Sequence, residues 1–276
     1  MRFGFAMKDP GGTQCVVPVA KELMARGVEA LLCAIGGGAK ILKFEEKLPF
    51  TENFDEVLAQ KPDIVICSID TGDKDKLNSG MTLEATQKAP AAGIPVAWIQ
   101  DLWGNHIKPY WDGSVKPDYF FTIDAAGMRK IGETWGYDSN QRPKKIFPFG
   151  QPKFDLIAKA EAEPHWKAFT ESLNNRGTLV ITVAGQILGM LECIQHFLSA
   201  LNEVGKSVFV DFMHHGRCPA EMVEDFRKEY PNLKVGLATE LEKVDRNQRL
   251  LLGNILFTMF STDAANAAVA GKHVIS

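Results

Sequence analysis

Hydrophobic and polar positions follow two recurring patterns along this chain, short apolar runs and longer segments with helical spacing. The first run, Phe3–Met7, leads to a turn at 9–12, and apolar residues then recur every three or four positions as far as Gly27. The next run, Val28–Ile35, is unbroken, which is typical of a parallel strand covered on both faces. This unit predicts an α/β protein built on parallel sheets.

The same strand–turn–helix unit continues through the first half of the sequence. Further strands are predicted at 64–67, 94–99, 118–122 and 146–149, and helices at 54–58, 83–92 and 125–135. Because Pro148 has no N–H group to donate, the strand at 146–149 is predicted to lie at a sheet edge or to end there.

A change of character after Gly150 predicts the boundary between two domains, 1–150 and 151–276. The segment that follows is polar, with a predicted helix at 158–175. The α/β pattern then resumes, with predicted strands at 178–183, 207–213, 233–237, 255–260 and 273–275 and predicted helices at 187–204, 220–230, 241–252 and 261–270. The last strand has no covering helix after it, so we expect the second domain to be truncated at its C-terminus.

Composition narrows the class of protein. With 276 residues, 45% hydrophobic residues and a net charge of −3, the chain is neither disordered nor suited by net charge to a nucleic-acid partner. No apolar run reaches the roughly 18 residues of a transmembrane helix, and the first residues do not read as a signal peptide. The five cysteines form no C-x-x-C pair, which predicts reduced thiols and a cytoplasmic location.

Two parallel α/β sheets joined by one linker are expected to enclose a cleft at the carboxyl ends of their strands, where ligands bind. After the first strand, Gly11 and Gly12 would let the backbone approach a ligand, at a helix N-terminus that attracts anions. A plain turn and helix cap explain these glycines equally well, and the same holds for Gly36–Gly38. The spacing is that of neither a dinucleotide-binding loop nor a Walker loop.

A second polar segment follows the predicted strand 94–99. It brings Gln100, Asp101, Trp103 and His106 close together in sequence. Trp103 could stack on a sugar ring, while Asp101 or His106 could act as a base or bond to hydroxyl groups. The alternative is a turn that serves capping and packing.

Three further strand ends carry candidate phosphate contacts. After the strand 207–213, one of two adjacent histidines together with Arg217 could contact a phosphate. Adjacent histidines make a poor pair of metal ligands, so no metal site is predicted. Ser261 and Thr262 could cradle a diphosphate at a helix N-terminus, and Gly185-Gln186 forms another loop for close approach. Solvated loop residues and ordinary helix capping remain the alternatives.

These motifs resemble those of one superfamily. The segment G-Q-P-K-F-D at 150–155 resembles the G-x-P-(R/K)-x-D linker of GT-B fold glycosyltransferases and their relatives, the CDP-glycerol glycerophosphotransferases and the non-hydrolysing UDP-N-acetylglucosamine 2-epimerases. The stretch 261–276 resembles their S-T-x-x-x-E-A-x-x-x-G-K-P-V-I segment. Asp9–Gly12 stands where they carry a glycine-rich acceptor-side loop, and 214–217 where many carry H-P-R.

The resemblance implies two Rossmann-like domains facing a cleft, with the acceptor on the N-terminal domain and a nucleotide sugar mainly on the C-terminal one. It implies a diphosphate at Gly185, Ser261 and Thr262, with His215 or Arg217 nearby. The ribose-binding Glu of the family falls on Asn266, which can bond to a hydroxyl group but is not a carboxylate. The Pro of the family falls on His273.

We therefore expect a metal-independent glycosyltransferase that uses a UDP- or CDP-linked sugar, no cofactor and an acceptor of unknown identity. Asp101, His106 or Asp9 would be the base on the acceptor side. The alternatives are a nucleotide-sugar 2-epimerase or hydrolase, although the epimerases' N-terminal signatures are absent, and a non-catalytic relative that binds a sugar phosphate. A homodimer is one of the oligomeric states left open.

Overall fold

A computed structural model of the protein describes residues 1–72, 79–104, 106, 113–135, 145–184, 190–213, 221–236, 246–258 and 263–275. The chain divides into two compact units, Met1–Lys153 and Phe154–Ser276. This division falls within a few residues of Gly150, where the sequence changes character. Within the described residues, no helix is long and apolar enough to cross a membrane.

The first unit alternates strands and helices. Its strands are β1 (Arg2–Met7), β2 (Glu29–Ala34), β3 (Ile64–Ser68), β4 (Val96–Ile99), β5 (Tyr119–Thr122) and β6 (Lys145–Pro148). Its helices are α1 (Pro10–Ala25), α2 (Gly36–Lys40, continued by a π-helical turn Ile41–Glu46), α3 (Phe54–Ala59), α4 (Met81–Ala91) and α5 (Ala125–Trp135). All of these strands pair in parallel, in the order β2-β1-β3-β4-β5-β6.

Both faces of this sheet are buried, as the unbroken apolar strands predict. Alternate residues of each strand point to opposite faces. One core contains Phe5, Met7 and Ile66 with the apolar face of α1. The other contains Trp98 and Phe120 with residues of α3, α4 and α5. Strand β6, which contains Pro148, lies at the sheet edge as predicted.

The second unit repeats the architecture. Its strands are β7 (Leu179–Ala184), β8 (Val208–Met213), β9 (Lys234–Gly236), β10 (Ile255–Thr258) and β11 (His273–Ile275). Its helices are α6 (Pro152–Lys159, which begins at the end of the first unit), α7 (Pro164–Asn175), α8 (Met190–Val204), α9 (Glu221–Glu229), α10 (Arg246–Leu252) and α11 (Asp263–Val269). The strands are again parallel, in the order β11-β10-β7-β8-β9, which confirms the predicted fold class of two parallel α/β domains.

A buried ion pair lies in the second unit. Asp211 of β8 accepts bonds from the guanidinium group of Arg249 at 2.6 and 3.2 Å, and both residues are buried. Burial raises the pKa of Asp211, and Arg249 opposes that rise. Removing either partner would leave a buried charge unpaired, which is strongly destabilising. Asp211, close to the end of β8, is therefore part of the core.

Two elements differ from the sequence prediction. The polar helix predicted at 158–175 is two helices, because Pro164 cannot continue a preceding helix and instead begins a new one at its first position. The glycines 36–38 begin α2, which the sequence did not predict. A Cβ atom at Gly37 would lie 2.7 Å from the ring of Pro10, so these glycines allow α2 to pack against the start of α1.

Candidate functional site

The first unit has a topological switch point at β1, whose neighbours β2 and β3 lie on opposite sides of it. Loops diverge where the strand order reverses, and ligands of open α/β sheets bind there. Asp9 follows β1 and Thr71 follows β3. The Asp9 carboxylate accepts hydrogen bonds from the Thr71 amide at 2.7 Å and from its hydroxyl at 2.5 Å. Asp9, a predicted base, is thus engaged in joining the two loops.

The two glycines at the start of α1 serve different purposes. Gly12 is buried, and a Cβ atom there would lie 2.8 Å from the Cβ atom of Ser68 and 3.0 Å from the carbonyl oxygen of Ile69. Gly11 is partly exposed, and its nearest such neighbour is the Asp101 carboxylate at 3.3 Å. Close helix–strand packing therefore accounts for Gly12, while Gly11 leaves the backbone next to Asp101 uncovered.

Asp70 also lies at this edge of the sheet, although it was not among the predicted site residues. It is 1% exposed, and its carboxylate accepts bonds from the Gly72 amide at 3.0 Å and the Thr82 amide at 2.9 Å. The Thr82 hydroxyl accepts in return from the Asp70 amide at 3.0 Å. Burial raises the pKa of Asp70, and these bonds oppose the rise. Asp70 therefore ties the end of β3 to the start of α4, and the Asp-Thr-Gly sequence after an apolar strand was the signal for it.

Asp101 lies at the end of β4, half-buried beside Gly11. Its backbone carbonyl accepts a bond from the side chain of Gln151 at 2.7 Å. Gln151 and Lys153 belong to the G-Q-P-K-F-D segment, and both are buried. This segment, interpreted from sequence as a linker, therefore also contacts the candidate site of the first unit.

His106, the remaining predicted base, lies in an aromatic core. Its ring is 5.3 Å from that of Trp135 and 6.2 Å from that of Phe120, centroid to centroid, and its Nε2 bonds to the hydroxyl of Thr134 at 2.8 Å. Burial, and secondarily the charge of Lys130, lowers its pKa to about 4. The position of His106 is therefore better explained by packing than by a role in proton transfer. Trp103, on the same segment, is 42% exposed.

In the second unit the corresponding switch point lies at β7, between β10 and β8. Ala184 and Thr258, the last residues of β7 and β10, are paired, and the Thr258 hydroxyl donates to the Ala184 carbonyl at 3.3 Å. The predicted contacts that follow these strands and β8 lie outside the described residues; they are Gly185, Gln186, His215, Arg217, Ser261 and Thr262.

Of the site residues that were predicted in the second unit, the structure describes only Asn266. It lies on α11 and is 6% exposed. Its side-chain amide donates to the Asp263 carboxylate at 3.4 Å, while its Oδ1 is buried and has no hydrogen-bond partner among the residues that the structure describes. In the described part of the chain, no group of three or more His, Cys, Asp or Glu residues is arranged to hold a metal ion.

Comparison with solved structures identifies the fold. The UDP-GlcNAc 2-epimerase of Methanocaldococcus jannaschii matches 99% of this chain and 83% of its own, with a TM-score of 0.67 at 14% identity. The Neisseria meningitidis UDP-GlcNAc 2-epimerase bound to UDP-GlcNAc matches 99% of this chain and 81% of its own, with a TM-score of 0.68 at 12% identity. MurG of Acinetobacter baumannii matches 98% of this chain and 77% of its own, with a TM-score of 0.59 at 12% identity.

These proteins are members of the GT-B fold superfamily, and the present chain has the same fold. The resemblance of the sequence motifs to that superfamily is confirmed at the level of the fold. No protein-family model matches the sequence, and a search of curated proteins found no match.

Proposed function

We propose that this protein binds a nucleotide sugar and transfers the sugar to an acceptor bound at the first unit. The observation that carries the proposal is the half-buried carboxylate of Asp101, which lies beside the uncovered backbone of Gly11 at the carboxyl edge of the sheet. A carboxylate that remains partly accessible can take a proton from an acceptor hydroxyl group. The GT-B fold, which the UDP-GlcNAc-bound enzyme of N. meningitidis shares, supports a nucleotide sugar as the donor.

The donor would bind at the second unit. Gly185 and Gln186 follow β7, while Ser261 and Thr262 follow β10, and these two strands end side by side. Backbone N–H groups of glycine and hydroxyl residues are suited to the oxygens of a diphosphate. His215 or Arg217, which follow β8, would add a cation, and Asn266 would contact a ribose hydroxyl group.

The chemistry of this proposal needs one bond to form and one to break. The acceptor oxygen attacks the anomeric carbon, the bond from that carbon to the diphosphate oxygen breaks, and the acceptor proton passes to Asp101. Negative charge develops on the leaving diphosphate, where N–H groups and Arg217 would stabilise it without a metal ion. Asp9 and Asp70 are positioning residues, because their carboxylates are already engaged by Thr71, Gly72 and Thr82.

Titration of the folded protein with UDP, CDP and GDP, followed by calorimetry, tests the donor half of the proposal. We expect saturable binding of UDP or CDP, weakened at least tenfold by Arg217→Met. Arg26→Met, at the exposed residue that follows α1, is the control. Loss of one charge-assisted contact accounts for a change of that size. A folded protein that binds none of the three nucleotides would refute the proposal.

Epimerisation is the second candidate, because both epimerases named above have higher TM-scores to this chain than MurG has. The two reactions differ in their need for an acceptor. Incubation with UDP-GlcNAc alone should give only slow release of free sugar from a transferase, whereas an epimerase would produce the 2-epimer. Binding without any turnover would favour the non-catalytic alternative. The cytoplasmic location and the homodimer stay predictions.

A further inference from the structure

Two loops of the first unit expose large apolar side chains beside Asp101. Leu102 and Trp103 follow β4 and are 40% and 42% exposed, while Phe149 follows β6 and is 74% exposed. Single exposed apolar residues are common on protein surfaces. A group of them at one place is different, because such a patch marks a site where a ligand or partner binds.

A hydrogen bond joins these two loops. The side chain of Gln151 donates to the backbone carbonyl of Asp101 at 2.7 Å, two residues from Phe149 and one from Leu102. Strands β4 and β6 both pair with β5 in parallel, so their carboxyl ends lie at the same edge of the sheet. Leu102, Trp103 and Phe149, which we call the apolar edge, therefore lie within a few residues of one bonded point.

The exposed position of Phe149 is fixed by its backbone and by ring stacking. Its amide donates to the Phe147 carbonyl at 3.1 Å, which closes a three-residue turn around Pro148. Gly150, which follows, has a φ of 91°, a conformation that favours glycine. The Phe149 ring stacks on the rings of Phe147 and Phe121, with centroids 5.2 and 5.9 Å away. The ring is thus held in place although it is largely exposed.

The chemistry of these loops favours a hydrocarbon over a sugar as the group that contacts the apolar edge. A sugar that stacks on an aromatic side chain also needs polar side chains to bond its hydroxyl groups. The amide side chains of Gln100 and Gln151 are 0% and 3% exposed and are bonded to backbone groups. Because they are buried, they do not reach a ligand at the surface. Asp101, which is half-buried, remains as a polar group next to the apolar edge.

We propose that the apolar edge binds the hydrocarbon part of the acceptor, which is then an amphiphile, a hydroxyl compound with an alkyl chain. Its hydroxyl group would lie at Asp101, and its alkyl chain would cover Leu102, Trp103 and Phe149. Removal of apolar surface from water on both partners stabilises the complex. The role as acceptor rests on the proposed function, whereas the hydrocarbon site rests on the first unit alone.

Nuclear magnetic resonance of the full chain labelled with ¹⁵N tests the site with octyl glucoside below its micelle concentration. Methyl glucoside, which has the same sugar without the long alkyl chain, is the matched control. Octyl glucoside should cause saturable shifts of the Trp103 indole signal, identified by its absence from Trp103→Phe, and of the Asp101 amide signal. Unchanged signals, equal shifts with methyl glucoside, or a shift of Trp103 without one of Asp101 would each overturn the proposal.

Variants of Phe149 give the second measurement. Phe149→Ser should weaken binding of octyl glucoside at least tenfold, because the apolar contact of the ring is lost. Phe149→Leu keeps an apolar side chain and should bind nearly as well as the wild type. Phe44→Ser, at a residue 68% exposed on the π-helical turn after α2, is the control and should leave binding unchanged. Equal affinity of Phe149→Ser and the wild type would contradict the assignment. The wild-type comparison of the two glucosides remains decisive if Phe149→Ser does not fold.

Calorimetry with UDP separates this proposal from the proposed function. Phe149→Ser should bind UDP as the wild type does, because the donor is assigned to the second unit. A protein that binds octyl glucoside but no nucleotide would keep the hydrocarbon site and refute the proposed function. A protein that binds UDP but not octyl glucoside would keep the proposed function and refute the amphiphilic acceptor.

Discussion

Asp101 and His106 lie five positions apart after the same strand, in different environments. The carboxylate of Asp101 is half-buried next to Gly11, whereas the imidazole of His106 is enclosed by Trp135 and Phe120. A base must reach the proton that it removes, so accessibility separates the two candidates more sharply than their intrinsic chemistry does.

Replacing Asp101 by Asn should lower the transfer rate by about 100-fold or more, since the amide cannot accept the acceptor proton. Binding of the nucleotide donor should not change, because the donor is assigned to the second unit. Steady-state kinetics together with calorimetry measure both effects, and Asp55→Asn on the surface of α3 is the control. Undiminished turnover of the Asp101 variant would exclude Asp101 as the base.

His106 should make the stability of the protein depend on pH. The imidazole is protonated below pH 6.5 in the unfolded chain, but its pKa in the folded protein is about 4. The unfolded state therefore binds the proton first, so the free energy of unfolding should fall as the pH drops from 6.5 towards 4, by about 3 kcal/mol.

Urea unfolding at several pH values measures this effect. His106→Phe should remove much of the slope of the unfolding free energy against pH, because the titrating imidazole is then absent from the aromatic core. The exposed His196, replaced by Gln, is the control and should leave the slope unchanged. Equal slopes for the wild type and His106→Phe would show that other groups cause the pH dependence.

At the scale of elements, the contact of α1 with the end of β3 holds the start of α1 in its position at the candidate site. Gly12 permits that contact, since a Cβ atom would meet Ser68 and the Ile69 backbone at 3.0 Å or less. Backbone atoms cannot yield as a flexible side chain can. The start of α1 would have to move away from β3 to accommodate any side chain at this position.

Gly12→Ala should therefore lower the free energy of unfolding by about 1 to 3 kcal/mol, the usual cost of overpacking. Gly11→Ala is the matched control, because its nearest neighbour is the flexible carboxylate of Asp101 and alanine favours a helix. Urea unfolding of both variants gives the comparison. Similar stabilities would show that the helix shifts without cost.

Several elements were predictable and others were not. The helix 125–135 and the strand 273–275 have the predicted bounds, since periodicity and flanking turns are local signals. Helix α2 was missed, because three glycines in a row normally indicate a turn and only their packing against Pro10 explains a helix there. The break at Pro164 was visible in the sequence as a proline within a predicted helix.

For the whole molecule, the proposed function assigns the nucleotide donor to the second unit and the acceptor to the first. UDP should slow amide hydrogen exchange within 154–276, around the ends of β7 and β10. Exchange within 1–153 should not change, because the donor is assigned to the second unit. Exchange measured by mass spectrometry on the full chain with and without UDP tests this, and protection confined to the first unit would contradict the assignment.

The sequence by itself determined the fold class, most of the strands and helices, and Asp101 as a candidate base, because periodicity and residue chemistry are read from neighbouring positions. The tertiary structure decided which side chains meet. Asp9 is 62 positions from Thr71, and Gln151 is 50 positions from Asp101, yet each pair is hydrogen-bonded. Strand order brings such residues together, and it depends on how distant segments pack. The burial of His106 therefore appears only in the folded chain.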